Sequence, residues 1–183
     1  MKEVELCQLC RERDTRGQQK LYELYANRLY AICIRYTGDR DVAQDILHDG
    51  FIKILCSFDK FSWRGEGSLR AWMDRIMVNT SLQYLRDRKK IGQEVEIEQV
   101  SEPVEDDSTS ELDAIPQKVL FQFIKELPDG YRTVFNLFVL EKKSHREIGE
   151  ILGINERSSA SQLFRAKQSL AERIREWMDE HGR

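Results

Sequence analysis

One stretch near the end of the chain, Ser144-His145-Arg146-Glu147-Ile148-Gly149-Glu150-Ile151-Leu152-Gly153-Ile154-Asn155, restricts the fold more than any other. Ser144 and Glu147 stand at the spacing of a capping box, in which a hydroxyl caps a helix start and a carboxylate returns the bond. Leu152-Gly153 then stops that helix, because glycine accepts the left-handed turn that other residues resist, and Asn155 stands where a second helix needs its cap. The spacing predicts a helix-turn-helix in which Ile148, Ile151 and Leu152 pack against Leu163, Ala166 and Leu170. That packing leaves Arg157, Ser158, Ser161, Gln162 and Arg165 on the outward side of the second helix, with Lys142, Lys143, His145 and Arg146 beside the first. Arg and Gln read purine edges in a major groove and Ser takes phosphates, so this face suits duplex DNA.

The net charge of -3 runs against such a partner until its distribution is followed along the chain. Ile91 to Pro116 holds nine acids and no Lys or Arg, and without those nine the remainder carries +6. The positive charge gathers in Arg64 to Lys90 and in Lys142 to Arg175, on either side of the acidic stretch. Pro103, Ser108, Thr109 and Ser110 interrupt that stretch, which reads as a flexible acidic linker over 91–115. The expectation is an all-α chain of two small helical domains, 1–90 and 116–183.

Helical period supports that division. Leu21, Tyr25, Leu29, Ile32 and Tyr36 mark one helix, and Val42, Ile46, Phe51, Ile54 and Leu55 mark a second, with Gly38 and Asp39-Arg40-Asp41 as stop and start. A third is predicted from about Ser68 to Arg88, with Leu69, Trp72, Met73, Ile76, Met77 and Tyr84 inward. After the linker the pattern predicts a helix from about Pro116 to Glu126, a turn at Leu127-Pro128-Asp129-Gly130, a helix from Tyr131 to Leu140, and then the helix-turn-helix.

Two elements of the first domain carry chemistry of their own. Asp45 and Asp49 lie one helical turn apart beside Phe51, an arrangement that suits either docking on a basic partner with an apolar anchor or a solvated acidic face over a core aromatic. The loop Phe61 to Gly67 joins Phe61, Trp63 and Arg64 with two glycines, a composition able to stack unpaired bases, and Trp63 and Trp72 are equally explicable as core aromatics. Beyond it Ser68, Arg70, Arg75, Asn79 and Gln83 offer a polar side, and Arg86, Arg88, Lys89 and Lys90 fit phosphate contacts or dipole compensation.

The chain shows no phosphate-cradling glycine loop, no HExxH pattern and only three His, at 48, 145 and 181, so an enzyme is not expected. Cys7-Gln8-Leu9-Cys10 has no second pair or His at metal-ligand spacing, so no metal or other cofactor is expected. The longest apolar run is six residues, Leu29 to Ile34, and the first residues lack the basic-then-apolar start of a signal peptide, which places the chain in the cytoplasm.

Taken together, the blocks resemble the extracytoplasmic-function group of bacterial sigma factors. Ala43-Gln44-Asp45-Ile46-Leu47-His48-Asp49-Gly50-Phe51 is similar to that family's polymerase-docking helix. Leu69 to Thr80 with Tyr84-Leu85-Arg86 resembles its promoter-melting helix, and Leu127-Pro128-Asp129-Gly130-Tyr131-Arg132 through Phe164-Arg165-Ala166-Lys167 its second DNA-binding domain. The resemblance implies an alternative sigma factor with core RNA polymerase and promoter DNA as partners, a membrane-associated anti-sigma protein, and no small-molecule substrate. It assigns polymerase docking to Asp45, Ile46, His48, Asp49, Ile52 and Lys53. It assigns melted DNA to Phe61, Trp63, Arg64, Ser68, Arg70, Arg75, Asn79 and Gln83, with Asn79 at a base-edge contact. Duplex DNA falls to Lys143, His145, Arg146, Arg157, Ser158, Ser161, Gln162 and Arg165.

The sequence departs from the family in two places. His48-Asp49-Gly50 stands where many members have Gln-Glu-Val, and a mid-helix Gly costs about 1 kcal/mol relative to Ala. Ser158-Ser159-Ala160-Ser161-Gln162 replaces a Thr-Val-Lys-Ser-Arg pattern, so two basic contact positions are neutral and promoter letters do not transfer. A different class, a free-standing helix-turn-helix repressor or activator, is separated by whether the chain grips duplex DNA without polymerase. A pure interaction protein is disfavoured by the Arg and Gln of the last helix.

Overall fold

In this computed structural model, which describes residues 2–90 and 115–181, every regular element among the described residues is helical. The chain divides into two compact units, Met1–Gln93 and Glu94–Arg183. Most of the acidic stretch, 91–114, lies outside the described residues, as do the side chains of Lys89 and Lys90.

The first unit contains α1 (Glu3–Arg11), α2 (Thr15–Thr37), α3 (Arg40–Cys56) and α4 (Ser68–Lys90). The expected boundary between α2 and α3 is present. Gly38 closes α2 in the left-handed region at φ 70°, and the Asp39 carboxylate accepts from the Asp41 and Val42 N–H groups at 2.9 and 3.1 Å. Such a cap contributes about 1 kcal/mol. α2 packs against α1, α3 and α4, and Leu21, Leu29, Cys33, Tyr36, Ile54, Leu69, Met73 and Met77 are fully enclosed between them. Each such aliphatic side chain contributes about 1.5–3 kcal/mol by leaving water.

Gly50, read from sequence as a local cost, is buried at the α3–α4 crossing. A Cβ there would stand 2.5 Å from the Met77 Sδ, so the missing methyl is the space that Met77 fills. A bidentate Arg28–Asp74 pair, with Nε–Oδ1 at 3.1 Å and Nη2–Oδ2 at 2.6 Å, ties α2 to α4. Cys7 and Cys10 of α1 face this core, and burial pushes the Cys10 thiol up to about 11 and that of Cys33 to about 12.

The second unit contains α5 (Gln117–Lys125), α6 (Asp129–Phe135), α7 (His145–Leu152) and α8 (Glu156–His181). The helix expected over 131–140 begins two residues earlier and changes pitch: α6 runs into a π-helical segment, Asn136–Leu140, closed by Glu141 N–H on the Asn136 carbonyl at 3.1 Å. Arg132, only 4% exposed, donates to the Lys125 and Leu127 carbonyls at 2.9 and 2.6 Å and pairs with Asp129. It thereby holds the α5–α6 turn. Ile124, Leu127, Ala166 and Leu170 form the core that seats α8 against α5 and α6.

Candidate docking and nucleic-acid interfaces

α3 is amphipathic at helical spacing. Ala43, Ile46, Leu47, Gly50, Phe51 and Ile54 are buried, while Asp41, Gln44, Asp45, His48, Asp49, Ile52, Lys53 and Cys56 are exposed. The exposed side joins Asp45 and Asp49 to Ile52, which is 60% exposed and the most open large hydrophobic side chain among the described residues. Ile52 thus stands bare on an acidic helix face.

The structure corrects one reading here and decides another. Ile46, assigned to docking, is 3% exposed because it sits on the inward side of the helix, in the core beneath the acidic face. Phe51 is likewise core, its ring 4.8 Å from that of Tyr22. His48 Nε2 lies 3.3 Å from the Gln44 amide, and Lys53 Nζ is 3.4 Å from the Thr80 hydroxyl on α4.

The loop before α4 follows a single 3-10 turn, Phe58–Lys60. Phe61, expected to stack bases, is 4% exposed. Its ring packs against Phe58 and Trp72 at centroid distances of 6.0 and 4.8 Å, so it is the floor of the loop and not its contact surface. Trp63, 42% exposed, is the aromatic left open, with Arg64 exposed beside it. The Ser68 hydroxyl accepts from Arg64 N–H at 3.1 Å and donates to the Gly65 carbonyl at 2.7 Å, which commits its one hydrogen inside the loop.

Gly65 and Gly67 have φ of +118° and +83° with open space where a Cβ would stand. Their role is backbone conformation. Along α4, Arg70, Arg75, Asn79 and Gln83 are all exposed, and Gln83 donates to Asp87 at 2.8 Å.

The helix-turn-helix forms as its sequence dictates. The Ser144 N–H donates to Glu147 Oε2 at 2.8 Å, the Glu147 N–H returns to the Ser144 hydroxyl at 3.3 Å, and Lys143 Nζ reaches Glu147 Oε1 at 3.0 Å. The Ser144 N–H first, then Lys143 and the Ser144 hydroxyl, which donates to Glu147 Oε2 at 3.0 Å, hold the Glu147 carboxyl at about 2. Gly153 takes φ 68°, and Asn155 Oδ1 accepts from the Ser158 N–H at 2.7 Å. Ile148 is fully buried and Leu163 is 6% exposed, while Ile151 and Leu152 are half-buried.

Two residues of the expected DNA face sit differently. His145 is drawn inward, its ring stacked on Phe138 at 4.6 Å and its Nδ1 3.0 Å from the hydroxyl of fully buried Ser159. Desolvation pulls its pKa below the usual value, which favours the neutral ring. His145 thus pins α7 to α8 instead of standing free beside them. Gln162 lies against α6, its Oε1 3.1 Å from where a Cβ on Gly130 would be, on the flank of α8 rather than its outward side. Lys142, Arg146 and Arg157 are exposed, and Arg146 faces Glu150 at 3.5 Å. Ser158, Ser161 and Arg165 are half-buried.

A Sigma-70 region 2 model matches residues 21–91 and a Sigma-70, region 4 model matches residues 118–170, about two thirds of the chain in all. The chain is 28% identical over 181 residues to the ECF RNA polymerase sigma-E factor of Haemophilus influenzae, covering 91% of this chain and 94% of that protein. It is 27% identical over 154 residues to the ECF RNA polymerase sigma factor SigM of Bacillus subtilis, covering 82% and 91%. The chain belongs to the extracytoplasmic-function sigma factors.

Among solved structures, the sigma factor RpoE of Bartonella quintana, in complex with the anti-sigma factor NepR, aligns with a TM-score of 0.47 and 21% identity over 84% of this chain and 94% of that one. In this sigma factor the region 2 match takes in α2 from Leu21 onward, α3, the loop and α4, and leaves α1 outside. The region 4 match ends within α8, which continues to His181. No helix among the described residues is long and apolar enough to cross a membrane.

Sequence reasoning passed over Glu3 and Arg11, whose side chains hold the loop ends through the Gly67 N–H at 3.1 Å and the Phe61 carbonyl at 2.8 Å. No local pattern signals a tie across 64 or 50 residues.

Proposed function

We propose that this alternative sigma factor divides promoter-specific initiation among three surfaces of its two units. Asp45, His48, Asp49, Ile52 and Lys53 of α3 dock on core RNA polymerase. Trp63, Arg64, Arg70, Arg75, Asn79 and Gln83 hold the melted strand. Lys143, Arg146, Arg157, Ser158, Ser161 and Arg165, with Gln162 at the flank and His145 as a pin, engage the duplex upstream element. The observation that carries the reading is the α3 face, where Ile52 stands bare after the exposed carboxylates of Asp45 and Asp49 on a helix whose other side is sealed in the core.

Magnitudes support dependence on polymerase. Unstacking costs about 1.4 kcal/mol per step, so a bubble of about a dozen pairs needs roughly 15 kcal/mol. Stacking a captured base returns about 1–3 kcal/mol, and Trp63 is a single exposed platform, so the chain traps a bubble that the larger machine opens.

The chain acts in the cytoplasm, without catalysis of its own and without a cofactor, and the family resemblance adds a membrane-associated anti-sigma partner that masks both units. The division into 1–90, a linker over 91–115 and 116–183 is part of this reading. Run-off transcription with purified core on genomic DNA tests it. Initiation at discrete promoters that is lost in Asp45→Lys/Asp49→Lys supports the docking face, and unchanged initiation contradicts it. Open-complex formation that survives Asn79→Ala removes the base-capture assignment.

A further inference from the structure

We propose that α1, which lies outside the region 2 match, is a splint for the strand-capture loop, with Glu3 and Arg11 as its positioning residues. The inference rests on the reading that the loop holds melted DNA.

The loop spans Phe61 to Gly67 and is tied at both ends to the same helix. Arg11 Nη2 donates to the Phe61 carbonyl at 2.8 Å, and the Gly67 N–H donates to Glu3 Oε2 at 3.1 Å. Both bonds have an ionised partner and are among the stronger kinds of hydrogen bond. Glu3 and Arg11 are separated by about 12 Å of helix at 1.5 Å per residue, which sets the spacing of the two ties. The helix between them is anchored by Leu6, Cys7 and Cys10, each 3% exposed or less.

Beneath the loop, Phe58, Phe61 and Trp72 form an aromatic floor. Floor and splint together leave Trp63 and Arg64 projecting from a backbone fixed at each end. Two glycines at positive φ make this backbone costly to order, and a loop that must be ordered during capture weakens capture. The splint fixes the shape beforehand.

The sign of the Glu3 effect separates this role from simple electrostatics. Removing a carboxylate next to a DNA-binding loop should strengthen strand binding if charge alone matters, whereas loss of the splint weakens it.

The test uses holoenzyme assembled from full-length chain and core, with permanganate reactivity of promoter thymines as the measure of open complexes. Glu3→Ala and Arg11→Met are each expected to lower open-complex occupancy about tenfold. Core affinity and the thermal midpoint should stay near wild type, and Arg11→Lys, which still donates, should recover part of the loss. Glu5→Ala, which removes the carboxylate that caps α1 at the Lys2 N–H without touching the loop, should leave occupancy unchanged.

Open-complex occupancy that is unchanged or raised in Glu3→Ala overturns the proposal, as does a loss matched by an equal loss of core affinity. Trp63→Ala and Asn79→Ala run in parallel distinguish the two levels. If these lose open complexes while the α1 variants do not, only the splint fails. If they too are silent, strand capture by this loop fails and the splint falls with it.

Discussion

Two connections of this molecule are built in opposite ways. The helix-turn-helix is closed by its own residues: Ser144 and Glu147 bond each other at the start of α7, Gly153 turns the chain at φ 68°, and Asn155 caps the next helix. The loop 61–67 has internal bonds through Ser68, but its ends are held by Glu3 and Arg11, 64 and 50 residues away. A locally closed turn is part of the fold's own stability. A loop tied from afar can be loosened with the surrounding core intact.

That difference predicts opposite responses to mutation. The largest effect is expected from Ile148→Ala, which empties a fully buried position between α7 and α8. Leaving a cavity there should cost about 2–5 kcal/mol and speed amide exchange throughout 117–181 but not in 3–88.

Next comes Gly149→Val. A Cβ at Gly149 would stand 2.6 Å from the Ile154 carbonyl oxygen, so a branched side chain forces the turn open. A loss of about 1–3 kcal/mol by urea denaturation is expected, and a stability equal to wild type would show that the turn is looser than drawn.

Ser144→Ala removes one cap and should cost about 1 kcal/mol, read as a shift in the same urea midpoint. Glu3→Ala is expected to cost less stability than any of these while exceeding Ser144→Ala in its effect on open complexes. If its stability loss matched that of Ser144→Ala, the contrast between local and distant closure would fail.

The smallest effect concerns pH. The folded pKa of His145 lies below its unfolded value near 6.5, so the unfolded chain takes the proton more readily. The second unit therefore keeps its full stability above about pH 6.5 and loses some of it as pH falls further. Glu156 opposes this shift and Lys167 reinforces it, both after the larger effect of burial. The difference in urea midpoint between pH 7.5 and 5.5 should shrink in His145→Gln, and an undiminished difference would assign it to other groups.

The same contrast explains what was legible in the residues. Gly38 with Asp39, Ser144 with Glu147, and Gly153 with Asn155 are local signals, and each produced the boundary expected of it. The exposed and buried faces of α3 also followed from helical spacing, Ile46 included, although the family resemblance assigned that inward residue to docking.

Phe61 was misread because its burial depends on Phe58 and Trp72 meeting it in three dimensions. Gly50 looked like a propensity cost because its benefit is the space occupied by Met77 on another helix. His145 looked like a surface contact for DNA, and its inward turn requires Phe138 on one side and Ser159 on the other. The π-helical widening at Asn136–Leu140 had no counterpart in the apolar period.

The measurement that tests the account most directly is association of the purified chain with bacterial core RNA polymerase at moderate salt, followed by permanganate probing of a promoter template. The account predicts a stable complex whose formation needs the Asp45, Asp49 and Ile52 face, with thymine reactivity that appears only when chain and core are both present. Tight, sequence-specific binding of duplex DNA by the chain alone, with no association with core, would contradict it.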